Sequence, residues 1–141
     1  MKLSNETIGV LKNFSNINMN LVIKEGNTMT TMSAMKNIVS KADVTETFPQ
    51  EVAIYDLNEF LQSLSLFAEP VLDFKDQFMT MKDEGSKATL KYWYSDPSVV
   101  TSPSKMITMP SEDVKLTLTS EDIEKLKRAA SVVQAPDMVL E

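Results

Sequence analysis

Between Val52 and Leu66 the chain reads VAIYDLNEFLQSLSL, and its apolar period changes once. Val52, Ile54 and Leu57 are apolar and Tyr55 is amphipathic, which predicts a short strand with at least one covered face. Asp56 stands where an N-cap carboxylate can accept the first free N–H groups of a helix. From there Leu57, Phe60, Leu61, Leu64 and Phe67 share one side of a helical wheel, and Asn58, Gln62 and Ser65 share the other. That polar side is almost uncharged. It can face solvent or a polyanion at modest cost, but alone it is no strong binding site.

The same order of strand, cap and helix recurs. Lys2 and Leu3 lead through Ser4-Asn5-Glu6-Thr7 into IGVLKNFSNI, and VKLTLT (Val114–Thr119) leads through Ser120-Glu121-Asp122 into IEKLKRAASVV. Over residues 4–17 Ile8, Val10, Leu11, Phe14 and Ile17 fill one half of a wheel, with Asn5, Gly9, Lys12, Asn13 and Asn16 on the other. That division predicts a helix lying on a sheet. Three such junctions predict a repeated architecture in which equivalent helices line one surface.

Between the helices the pattern is of strands. MNLVIK (19–24), TMTTMS (28–33) and IVSKADVT (38–45) follow the first helix, and PVLDFK (70–75), QFMTMK (77–82) and KATLKYWY (87–94) follow the second. Glu25-Gly26-Asn27, Met35-Lys36-Asn37 and Glu84-Gly85 supply the reversals. The order to residue 94 is therefore two copies of a βαβββ unit, an α+β domain with two helices on one face of antiparallel sheets. Residues 95–113 hold three of the six prolines and read as a connector. A third unit begins at 114: a strand to 119, a helix over 121–133, and PDMVLE, where the sequence stops.

Composition narrows the chemistry. The chain has no Cys and no His, and its glycines are at 9, 26 and 85 only. Thiolate or imidazole metal sites, Ser-His or Cys-His nucleophile pairs and Gly-rich phosphate loops are thereby excluded. Asp73 with Asp76 and Asp83 with Glu84 flank turns, where solvated charge accounts for them. Ten methionines, alternating with Thr at Met29, Met32, Met79 and Met81, suit adaptable core filler. An enzyme, a metal and a cofactor are not expected, and no apolar run approaches a membrane span. A soluble, intracellular protein is the expectation. A net charge of −6 argues against tight nucleic-acid binding in bulk but says nothing about one face. Lys12, Lys125 and Arg128 stand on the outward sides of predicted helices, a sparse basic surface.

MKLSNETIGVLKNFSNIN, VAIYDLNEFLQSLSL and WYSDPSVV resemble, in order and spacing, stretches of the T4-type bacteriophage DNA polymerase sliding clamps. The third helix with its leading Ser-Glu-Asp resembles the opening of that family's second domain. The resemblance implies the DNA-clamp fold: residues 1–94 as a first clamp domain, 95–113 as the interdomain connector, and 114–141 as the start of an incomplete second domain. It implies a homotrimer, closed head to tail around duplex DNA, that serves as a processivity factor for a DNA polymerase. A clamp loader opens the ring, and it works in the cytoplasm of an infected bacterial host without catalysis. By match of position, Lys12, Asn13, Asn16, Asn58, Gln62, Lys125 and Arg128 would face DNA. The edge strand with Leu90, Tyr92 and Trp93 would form the subunit interface, and Met106, Ile107 and Met109 would contribute to a partner pocket.

With its second domain incomplete, this chain is not expected to close the native ring, and its exposed edge is expected to pair with another copy. Two other readings compete. One is a protein-interaction module that reuses the fold without encircling DNA. The other is a hydrolase with an acidic dyad at Asp73, disfavoured by the missing His, Cys and Gly-rich elements.

Overall fold

In the computed structural model residues 1–103, 111 and 114–139 are described, and the chain divides into two units, Met1–Ile107 and Thr108–Glu141. The first opens with helix α1 (Asn5–Ser15). Ser4, in extended backbone, caps it by accepting the Thr7 N–H at 3.1 Å. Strands β1 (Leu21–Ile23), β2 (Gly26–Met32) and β3 (Val39–Phe48) follow. Strand β4 (Val52–Ile54) then leads into helix α2 (Leu57–Ser65), and β5 (Val71–Phe74), β6 (Phe78–Lys82) and β7 (Leu90–Trp93) complete the set. Asp56 caps α2 as the sequence predicts, its carboxylate accepting the N–H groups of Asn58 and Glu59 at 2.9 and 3.1 Å.

The two predicted units are present but they exchange their leading strands. One antiparallel sheet runs β3-β2-β1-β4, so the strand that opens the second unit pairs with the first unit's β1. The other sheet runs β5-β6-β7, and Lys2 bridges antiparallel to Val71 of β5. The strand expected at Lys2 and Leu3 is thus reduced to one bridge. Neither repeat is covered without the other. A single core joins them: Leu11 and Phe14 of α1, and Leu57, Phe60 and Leu64 of α2, bury against Ile23, Val52, Ile54, Leu72, Met79 and Met81. Phe48 and Phe74 meet edge to face at 6.0 Å between the two sheets, a geometry favoured by the ring quadrupoles.

Turn chemistry fixes the hairpins. Gly26 has φ 112° at the start of β2, a conformation an L side chain resists. Between β2 and β3 the Ser33 hydroxyl accepts the Asn37 and Ile38 N–H groups at 3.2 and 3.1 Å, while Lys36 takes φ 58°. After β7 a 3-10 turn, Pro97–Val99, which the sequence reading missed, is capped by Asp96 accepting the Ser98 N–H at 2.8 Å. The segment then covers the other side of the first sheet. Ser95 N–H bonds to Ala53 carbonyl at 2.9 Å, and Val100 buries with Val22 and Ala53. The beginning of the expected connector therefore packs on the first unit.

In the second unit, α3 (Ser120–Val133) carries a full capping box: Thr119 Oγ1 accepts the Asp122 N–H, and the Asp122 carboxylate accepts the Thr119 N–H. Residues 114–119, expected as a strand, form none. Their alternation is real, but a strand needs a hydrogen-bonded neighbour, and the described residues of this unit include no other strand. No helix among the described residues is long and apolar enough to cross a membrane.

Candidate nucleic-acid interface

Helices α1 and α2 pack side by side over the shared core. The alternation that buries Leu11, Phe14, Phe60 and Leu64 leaves the opposite faces in solvent. Lys12, Asn13 and Asn16 are exposed on α1, and Asn58 and Gln62 are exposed on α2. The five expected contact residues of this unit therefore all lie on open helix faces. Lys12 falls in the last turn of α1, where a cation also complements the helix dipole. Asn16 is partly committed, its Nδ2 donating to the Lys12 carbonyl at 3.0 Å. Glu6 and Glu59, each in a first turn, are exposed as well. The combined face is polar and close to neutral, not a basic patch.

On α3, Lys125 and Arg128 are exposed, and Lys125 pairs with Glu121 one turn earlier at 2.7 Å. Exposed i,i+4 pairs of this kind are weak and leave the lysine available to another anion.

The expected interface strand, β7, is a sheet edge, paired with β6 on one side. Its side chains divide by the pleat. Leu90 and Tyr92 turn toward the core, and the Tyr92 ring meets Phe60 edge to face at 5.3 Å. Burial, with the Glu59 and Asp56 charges, pushes the Tyr92 hydroxyl up to about 12. Trp93 turns outward and is 59% exposed. The Lys91 ammonium lies 3.8 Å from the Phe78 ring centre and 4.5 Å from that of Trp93. The sequence reading missed Lys91 and Phe78, which come together only through the register Phe78↔Trp93. Met106, Ile107 and Met109 lie outside the described residues.

Three of the four turn carboxylates are engaged elsewhere. Asp73 pairs with Lys75 at 2.8 Å, and hydrogen bonding to that lysine holds its carboxyl below the usual range. Asp83 accepts the Ala68 and Glu69 N–H groups at 3.1 and 2.8 Å. Glu84 pairs with Lys2 at 3.5 Å. Among the described residues no cluster of three or more carboxylates could hold a metal ion.

A family model described as DNA polymerase processivity factor matches residues 4–101, the span of α1, α2 and all seven strands. The chain belongs to the DNA polymerase processivity factor family. Relatives in that family extend the likeness past the matched span. The chain is 33% identical over 141 residues to the sliding clamp of Vibrio phage KVP40, covering 98% of this chain and 63% of that one. It is 31% identical over 134 residues to the sliding clamp of Enterobacteria phage T4, and 30% identical over 134 residues to that of Escherichia phage RB69. Each of those two alignments covers 95% of this chain and 59% of the relative. The chain thus spans about six-tenths of the length of the curated relatives it matches.

Proposed function

We propose that this chain acts as a sliding clamp that encircles duplex DNA and tethers a replicative DNA polymerase to its template. The observation that carries the reading is the neutral polar face shared by α1 and α2, on a chain whose matched relatives are named sliding clamps. A ring holds DNA by topology. Each phosphate neutralised by Lys or Arg adds salt-dependent affinity, which a ring held in place by topology does not need. One lysine among asparagines, a glutamine and the carboxylates of Glu6 and Glu59, with Lys125 and Arg128 on α3, makes a sparse contact set. It positions the phosphate backbone and carries no base-sequence code.

In this reading three subunits close head to tail, with β7 contributing its free backbone edge and the exposed Trp93, and Leu90 and Tyr92 supporting that edge from the core side. A clamp loader opens the ring, and the assembly works in the cytoplasm of the infected host. No step requires a catalytic group. The low positive charge favours one rival, an interaction module on the same fold that never encircles DNA.

The test is a primer-extension assay with polymerase, loader and the protein at its full encoded length. Wild type lengthens the product made per binding event. Lys12→Glu combined with Arg128→Glu shortens it while circular dichroism stays unchanged. Undiminished product length in the double variant would overturn the residue assignments, and no lengthening by wild type would overturn the function.

A further inference from the structure

The space between α1 and α2 is a cleft of about 240 Å³ at the edge of the polar face described above. Ile8 from α1, and Leu61, Leu64 and Phe67 from and just beyond α2, form its apolar floor. Asn5, Lys12 and Ser65 stand at its rim. No carboxylate lines it. Four other clefts described on this unit each include Asp or Glu, as the chain's charge of −6 leads one to expect. The Lys12 ammonium and the Asn5 side-chain amide have no partner among the described residues. Ser65 donates to the Gln62 carbonyl at 2.7 Å and keeps its acceptor lone pairs.

We infer that this cleft takes a single unstacked nucleobase of DNA, with Lys12 on the adjoining phosphate. The inference rests on the reading that the α1–α2 face lies toward DNA. Its chemistry is that of a nucleotide: an apolar floor that includes one aromatic ring, a cation at the mouth with no partner among the described residues, and an amide that can both donate to and accept from a base edge. The volume is below the roughly 300–1,000 Å³ of sites for larger ligands, which suits one ring system. Stacking on Phe67 is indifferent to which base is presented, and Asn5 offers both a donor and an acceptor, so sequence preference is slight. Fully paired duplex offers no such base. Single-stranded template beside a primer end does. The cleft therefore distinguishes DNA with a single-stranded overhang from plain duplex.

The test uses the chain with isotope-labelled backbone amides and thymidine 5′-monophosphate as probe. Saturable shifts are expected at Asn5, Ile8, Leu61 and Ala68. Deoxyribose 5-phosphate and octanoate, which lack the base or its hydrogen-bonding edges, are expected to bind at least about tenfold more weakly. Ala68 is exposed at the cleft wall, so Ala68→Phe fills the space without touching the core and abolishes the shifts. Lys12→Gln weakens binding of the nucleotide but not of thymidine. Absence of cleft shifts, or equal binding of deoxyribose 5-phosphate or octanoate, would overturn the inference. The clamp reading is judged separately by retention on circular duplex, which Ala68→Phe leaves unchanged. Retention without cleft shifts sinks only this inference, and cleft shifts without retention sink only the clamp.

Discussion

Removing the Glu46 carboxylate should unfasten α1 from the first sheet. Glu46 lies on the edge strand β3, yet its carboxylate accepts the Ser4 N–H and the hydroxyl of Thr7, a residue with no solvent exposure. Thr45 Oγ1 donates to the same carboxylate at 3.0 Å. Partial burial alone would push this carboxyl up, but the hydrogen bonds from Thr7 and from the Ser4 backbone outweigh it and bring the pKa down from 4.5 to about 2. The negative charge also sits at the positive end of the α1 dipole. Hydrogen bonds to charged groups are worth roughly 1.5–3 kcal/mol each, and without Glu46 the buried Thr7 hydroxyl keeps Ser4 Oγ, at 3.1 Å, as its side-chain partner. Glu46→Ala is therefore expected to cost about 2–4 kcal/mol, and Glu46→Gln about 1–2 kcal/mol.

The pH dependence follows from the depressed pKa. The carboxylate's contribution is complete above 4.5 and is lost as pH falls toward about 2. The pKa displacement sets a ceiling of about 3 kcal/mol, and solvent screening of a partly exposed group brings it nearer to 2. Trp93 is the single tryptophan and belongs to this unit, so its fluorescence in urea reports unfolding here. The gap between wild type and Glu46→Gln should be constant near neutrality and shrink below 4.5. A Glu46→Ala cost under about 0.5 kcal/mol, or a gap unchanged down to the acid limit, would show that this carboxylate does not fasten α1.

Further outcomes follow from the same contacts. Phe60→Ala, at a side chain 2% exposed, should cost about 3–5 kcal/mol in the same urea titration, and a double-mutant cycle with Tyr92→Leu should show a coupling of about 0.5–1.5 kcal/mol. Asp56→Ala removes the α2 cap and should cost about 1 kcal/mol, with faster amide exchange at Asn58 and Glu59 as the local sign. Lys36→Gly relieves a left-handed backbone and should raise stability by about 0.5–1 kcal/mol in thermal unfolding. Lys12→Gln should leave thermal stability within about 0.5 kcal/mol, since the side chain is exposed and has no partner among the described residues.

Both helices of the first unit were legible to within two residues, because Ser4 and Asp56 are strong caps and the apolar stripes behind them are clean. The exposed positions on those helices followed directly. What stayed hidden depends on pairing across the chain. Period-two alternation tells which face of a strand is covered, not which strand lies beside it, so the exchange of β4 and Lys2 between the repeats could not be read. Glu46 lies just past the strand predicted over 38–45, and only the fold carries it to the head of α1. The cleft beside Lys12 likewise arises from two helices distant in sequence. Val114–Thr119 shows the opposite failure, a convincing alternation that pairs with no strand among the described residues.

A proposed ring would hold this protein on DNA by encirclement and not by surface charge. The measurement is the residence time of the protein at its full encoded length, loaded onto closed circular duplex, before and after one cut that linearises the circle. Long residence is expected on the circle, little affected by moderate salt, with rapid loss through the new ends. Equal residence on both forms, falling steeply with salt, would contradict it.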